Sequence, residues 1–366
     1  MKHNFVGPSY TIGIEEELMI LDEESLNLVN AIESLLEESP DGDIKPELME
    51  SGLEIATKPA PNTAEAGRQL RALRAQVSAA AANRGLLIGS AGTHPYALWE
   101  DQRIAARPRY RDLVSSLRFV ARQELIFGVH VHVGLDDPDK AIHVANGMRV
   151  HLAVLLALSA NSPFWRAQST GLLSARTPIF RAFPRVGIPP PYRDWADYER
   201  EIGFMVDSGV MEDYTYLWYD VRPHPNLGTV EIRVCDSQTR VEHTLGLAAL
   251  IQAMVKELAE HYDAGSQLAT YPWQMLDENK WLAARYGLEG ELVDLPSSER
   301  VPAKALARRI VDRLREHAEE LGSAGELAAL EDLLAHGNGA SRQLVVYEAN
   351  HDLQEVMREI AEATRA

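Results

Sequence analysis

The chain has 366 residues, 46% hydrophobic and 25% charged, a balance that excludes a disordered polypeptide and fits a globular one. Its 36 basic residues face 54 acidic ones, a net charge of −18 that argues against a general nucleic-acid or membrane-surface role. The one cysteine, Cys235, excludes an internal disulfide and a thiolate metal cage.

Tyr10 to Leu21 alternates and is rich in β-branched residues, so a strand is predicted. It reaches Glu15–Glu16–Glu17 too soon for a secretory leader, and a cytoplasmic protein is expected. Lys45 to Lys58 reads as a strand or hairpin with its weak point at Ser51–Gly52. Pro61–Asn62–Thr63 starts a helix that runs to Arg84, where Gly85 stops it. Leu86 to Ala91 is a short strand, Arg109 to Glu124 a helix and Phe127 to Leu135 a strand. Pro138 opens a long helix ending near Ser162–Pro163, and its most apolar stretch is too short to cross a bilayer.

From Thr177 to Asp194 the pattern breaks under prolines and three arginines, Arg181, Arg185 and Arg193. A stiff, structured loop is predicted there, and a candidate cover for a site. Leu227 to Cys235 is the last clear strand and Val241 to Tyr262 a strong helix, and beyond Asp277 the chain is mostly helical to Arg365. Several connections look too short for crossover helices. An α+β fold is expected, an antiparallel or mixed sheet under helices, in a single domain over 1–366 with its helical portion from about 277 onward.

Side chains alternate across a strand, so parity assigns faces. Ile12, Ile14, Leu18 and Ile20 share a face that Glu16 interrupts, while Glu15 and Glu17 sit on the other. Val129, Val131 and Val133 oppose His130 and His132. Val230, Ile232 and Val234 oppose Glu231 and Arg233, and Leu53 and Ile55 oppose Glu54. Each segment thus carries an apolar face for packing and a polar face of carboxylates, imidazoles or a guanidinium. If the strands are neighbours, the polar residues converge. Many carboxylates with one or two imidazoles and no thiolate favour Mg²⁺ or Mn²⁺ over structural zinc. No GxxxxGK[ST] loop or GxGxxG turn is present, so any nucleotide would be held through the metal.

The runs Gly13–Ile14–Glu15–Glu16–Glu17, Glu50 to Thr57, Gly128 to Gly134 and Gly228 to Arg233 closely resemble the glutamate–cysteine ligase type 2 family. These are ATP-dependent carboxylate–amine ligases related to glutamine synthetase. The resemblance extends from about Ser9 into the C-terminal helices, through Thr170–Gly171, Ser174, Arg176 and Asn279 to Gly287. It implies a funnel-shaped, mostly antiparallel sheet holding Mg²⁺ between ATP and an amino-acid carboxylate. Glu15, Glu17, Glu54, His130 and Glu231 then match metal ligands, with Glu47 a further acidic candidate. His132 matches a residue close to the phosphates, and Arg233 the guanidinium meeting the transferred phosphoryl or the acceptor carboxylate. Thr170 and Arg176 fall on the substrate side and Arg285 on the nucleotide side. Small amino-acid and amine substrates, ATP and a homodimer are expected, with no nucleic acid and no membrane.

One departure stands at Arg166–Ala167–Gln168–Ser169, where relatives commonly show a glycine and an aspartate, in a loop expected to touch substrate. Cys235 shares parity with the site residues but is expected to be a small buried thiol, and His94 and His151 structural histidines. Trp273, Trp281 and Tyr286 are expected to pack, and Asn279 to reach the nucleotide or solvent. Two other functions compete with ligation: a metal-dependent hydrolase using His130 and His132, and a non-catalytic nucleotide or amino-acid sensor on the same fold.

Overall fold

A computed structural model describes residues 1–37 and 44–365. Its centre is a seven-stranded sheet in which every pairing is antiparallel. The order is Val221–His224, Thr229–Ile232, Val129–Gly134, Ile12–Asp22, Gly52–Ala56 and Ile44–Pro46, with Leu86–Gly89 pairing along the far half of Ile12–Asp22. The expected α+β class and hairpin at 45–58 are therefore present, and the middle strand is the first in sequence.

One face of this sheet is apolar because the odd-even alternation puts Ile12, Ile14, Leu18 and Ile20 on it, all fully buried. Helices Thr63–Ala82 and Val241–Asp263 cover that face. Asn62 caps the first of them, accepting from the Glu65 N–H at 3.0 Å, as its place before the apolar run predicts. Glu16, the residue that breaks the apolar face, is completely buried and meets Arg74 of the covering helix through two parallel hydrogen bonds of 2.8 and 2.9 Å.

Several predicted elements are subdivided. The helix expected over 109–124 breaks into Pro108–Leu117 and Phe119–Arg122 at Arg118, whose φ of 53° no helix continues. The long helix from Pro138 bends by 62° between Pro138–Met148 and Leu152–Ser159. No single helix among the described residues is long and apolar enough to cross a membrane. The region beyond Asp277 is not helical throughout, since Glu291–Asp294 and Glu299–Pro302 pair as a hairpin. Helix Trp195–Asp207 and strand Val221–His224 are further elements that the sequence pattern did not yield.

Trp273, Trp281 and Tyr286 are not packed as expected: each is more than 40% exposed on the outer side of helix Trp273–Tyr286 or at its end. Asn279 lies on the buried side of that helix and does not face solvent. It clamps the hairpin by donating to the Val293 carbonyl at 2.8 Å and accepting from the Val293 N–H at 2.7 Å.

Candidate active site

Strand register gathers the polar residues of the other sheet face. Glu15 stands opposite His130, His132 opposite Glu231, Glu231 opposite Arg222, and Glu17 opposite Glu54. Directly opposed side chains lie close in an antiparallel ladder, so five separate strands deliver one cluster. His130 Nδ1 lies 3.3 Å from Glu15 Oε2, and His132 Nε2 lies 3.6 Å from the same oxygen and 3.9 Å from Glu231 Oε1. His130 Nε2 is 3.7 Å from Glu17 Oε1.

Two sets of donor atoms emerge, each within 4.8 Å of one another: Glu15, His132 and Glu231, and Glu15, Glu54 and His130. Glu15 belongs to both. The sets contain carboxylate oxygens and imidazole nitrogens only, the donors that suit Mg²⁺ or Mn²⁺. His132 Nε2 is buried without a hydrogen-bond partner although two carboxylates stand near it, which fits a nitrogen placed to bind an ion.

Electrostatics follow from crowding. Burial and the neighbouring Glu15 carboxylate push Glu54 up to about 7, and burial with Glu17 pushes Glu124 up to about 8. Burial and Glu17 also lift Glu47 well above the usual carboxylate range. Glu231 moves the other way: burial disfavours its charge, but Arg222 and Arg233 outweigh that and hold it low. Glu15 is likewise held low, since hydrogen bonds with His130 and His132 overcome its burial. Burial and the Arg233 charge hold His130 below its ordinary value, which favours the neutral imidazole that a ligand needs.

These residues line a cavity of about 330 Å³. Glu15, Glu17, Glu47, Glu54, His130, His132, Arg176, Glu231 and Arg233 all contribute to it, as the sequence led one to expect. Arg176 packs against Gly128, where a Cβ would overlap its guanidinium, and donates to the Val234 and Arg233 carbonyls at 3.3 and 3.2 Å. Arg233 donates to Glu231 and lies 3.4 Å from His130 Nδ1. The Nε of both arginines is buried and unpartnered.

Thr170 and Arg285 are not brought to this cavity. Thr170 donates to the Pro163 carbonyl at 2.9 Å, and Arg285 donates to the Gly171 carbonyl and stacks on Tyr286. Residues 166–169 do not line it either: they form a tight hairpin turn, with Arg166 paired to Glu100 at 2.8 Å. Of the 177–194 segment only Phe180 touches the cavity. Its arginines instead reach Asp277, the Tyr216 carbonyl and Asp197. Cys235 is buried, and burial lifts its thiol to about 12, as a structural thiol requires. His94 is buried too, with a ring nitrogen 2.9 Å from the Leu26 carbonyl, and burial lowers both His94 and His151 to about 4.

Sequence reading missed Glu124, Arg109, Tyr216, Trp218 and Arg222, which also line the cavity. Arg222 anchors Glu231 at 2.5 Å and donates to the Leu217 carbonyl at 2.6 Å. Arg109 stacks on Tyr216, 5.2 Å from the ring centre, and donates to Thr215 Oγ1 at 3.1 Å. Only Arg222 had a signal in the sequence, its place across a short turn from Glu231, and Pro223 obscured it.

Comparison with known proteins identifies the family. The family model for glutamate-cysteine ligase family 2 matches residues 11–363. A Rubrobacter xylanophilus protein provisionally named glutamate–cysteine ligase 2-1 is 42% identical, covering 97% of this chain and 95% of its own. A Solibacter usitatus protein, provisionally named glutamate–cysteine ligase 2, is 39% identical over 98% of this chain and 94% of its own. Among solved structures, glutamate–cysteine ligase from Francisella tularensis in complex with AMP aligns with a TM-score of 0.73 at 14% identity, over 100% of this chain and 90% of that one, a likeness of fold. The chain belongs to the glutamate–cysteine ligase family 2 and is an ATP-dependent ligase that forms carbon–nitrogen bonds.

Proposed function

We propose that the chain uses ATP and Mg²⁺ or Mn²⁺ to convert an amino-acid carboxylate into an acyl phosphate, which an amine then attacks to give an amide, ADP and phosphate. The observation that carries this reading is the pair of donor sets sharing Glu15 beside two guanidinium groups with unpartnered Nε atoms. Ions bound by Glu15, Glu54, His130, His132 and Glu231 would neutralise the nucleotide phosphates, with Glu17 and Glu47 as neighbouring acids.

The chain's own groups account for the rest. Phosphoryl transfer is mainly positioning and charge neutralisation, so Arg233 and Arg176 meet the transferred group from the edge of the sheet. Arg222 keeps Glu231 ionised and aimed. An acyl phosphate hydrolyses readily, and Tyr110, Phe180, Tyr216 and Trp218 supply cavity lining that limits water around it. Glutamate and cysteine are the first substrates to test, because relatives carry that name.

The direct test is a coupled assay of ADP release across amino acids and amines. Release should require a carboxylate and an amine together, vanish in EDTA and return with Mg²⁺ or Mn²⁺. Release indifferent to every such pair would end this reading. Amide turnover without nucleotide would install the hydrolase, and tight Mg·ATP binding with no phosphate release would install the sensor. Within the same assay, Arg233→Ala should slow ADP release by about 10²-fold, the scale of losing one transition-state donor. Its fold should survive, because Arg222 still pairs Glu231. A rate within threefold of the native chain would remove Arg233 from the reaction.

A further inference from the structure

Asp236 is fully buried, does not line the active-site cavity and has no part in the ligation scheme. It stands opposite Gly128 in an antiparallel bridge, three residues beyond Arg233. Neutral donors engage both of its oxygens. Oδ2 accepts from the Asn161 N–H at 2.9 Å and the Ser162 hydroxyl at 2.7 Å, and Oδ1 from the Ser174 hydroxyl at 2.9 Å. Its one ion-pair partner among the described residues is Arg176, whose Nη1 lies 3.8 Å from Oδ1. Gly92 makes room for the carboxylate, since a Cβ there would fall 2.7 Å from it.

These contacts converge on Arg176. The Ser162 hydroxyl that donates to Asp236 also accepts from the Arg176 N–H at 3.2 Å. Ser174, two residues earlier, is held by the other carboxylate oxygen. Main chain and guanidinium of Arg176 are thus both tied to one buried side chain. Its remaining acceptors are neutral and longer, the Val234 and Arg233 carbonyls at 3.3 and 3.2 Å. The other two guanidinium groups at this edge, Arg222 and Arg233, share Glu231 instead. Arg176 therefore has Asp236 alone to balance its charge and fix its direction. A role confined to the turn would need the hydroxyl contacts only, not a carboxylate beside an arginine that lines the cavity.

We propose that Asp236 is a positioning residue for the ligation: it seats the Arg176 guanidinium over Gly128, so that the group meets the transferred phosphoryl without reorganising. The kinetic consequence rests on the ligation reading above, whereas the seating of Arg176 does not.

The test uses the full chain with Asp236→Asn, Arg176→Ala and the two combined. In the coupled assay Asp236→Asn should lower kcat by about 10²-fold, the scale for a group misplaced by about an ångström. KM for ATP should stay within about threefold, since the lost contact belongs to the transition state. In the Arg176→Ala background the same change should cost less than about threefold, because nothing is left to position. A merely structural role would act equally in both backgrounds. A crystal structure of Asp236→Asn should show the guanidinium displaced from Gly128. Ser174→Ala keeps the carboxylate and removes one of its donors, so it serves in both measurements should Asp236→Asn fold poorly. Its kcat should fall by about threefold to tenfold, again only where Arg176 is present. Native kcat in Asp236→Asn, an equal loss in both backgrounds, or a guanidinium still seated over Gly128 would each overturn the proposal. Native kcat in Arg176→Ala would overturn it too. A native chain that releases no ADP with any carboxylate–amine pair would end the ligation reading. Asp236 as the seat of Arg176 would then stand or fall on the crystal structure.

Discussion

Glu15→Gln is expected to lower ADP release by about 10³-fold or more while leaving the thermal midpoint nearly unchanged. Loss of a single preorganised transition-state donor commonly costs about 10²–10³-fold, and Glu15 is the one side chain common to both donor sets. An amide keeps the shape but loses the charge, and its NH₂ group cannot ligate a cation. Stability should barely move because two effects oppose. Glu15 gives up its hydrogen bonds with His130 and His132, but Glu54, lifted to about 7 by burial and then by Glu15, is relieved of a like charge. Rates from the coupled assay and a melt of the same preparation decide the matter. A variant that kept a tenth of native ADP release would show that ions at Glu15 are dispensable.

The site was legible where its residues lie on regular strands. Period-two alternation is a property of extended backbone, so Glu15, Glu17, His130, His132, Glu231 and Arg233 could be assigned to one face without knowing the fold. That the four faces are one face depends on strand order, which parity does not contain. The middle of the sheet is Ile12–Asp22, and its partners on either side come from positions 52–56 and 129–134. Glu124, Arg109 and Tyr216 left no trace because they sit on short helices and their connections, where direction is set by what the segment packs against. Arg222 was hidden by Pro223, which argues against a central strand; the structure resolves this by putting Val221–His224 at the edge, where a missing N–H costs little.

Helix boundaries failed for a related reason. The sequences 109–124 and 138–162 hold helical composition through their breaks, since neither Arg118 nor the residues between Met148 and Leu152 include a proline or glycine. Tertiary packing, rather than local propensity, bends the chain there. The Glu291–Asp294 and Glu299–Pro302 strands are four residues each, too short to show alternation against a helical background.

Arg74→Met should cost about 3–5 kcal/mol of unfolding free energy, the range for leaving one partner of a buried ion pair without the other. Glu16 lies between the two site carboxylates but points the opposite way, into the core, where it is 0% exposed. Arg74 is all that makes a carboxylate tolerable there, apart from one hydroxyl from Thr244. Arg74 also donates to the carbonyls of Gln238 and Thr239, at 2.7 and 2.9 Å, and so ties the covering helix to the segment that follows Arg233. Methionine approximates the volume and keeps the stem's packing, so the loss can be assigned to the charge. Denaturant unfolding, without nucleotide or metal, measures it. The double variant Glu16→Leu/Arg74→Met should recover more than half of the loss, because the stranded carboxylate is gone. Full recovery is not expected, since the two carbonyls remain without their donor. A single variant less than about 1 kcal/mol down would mean that water reaches Glu16. The strand's hold on Glu15 and Glu17 would then have to come from the ladder hydrogen bonds alone.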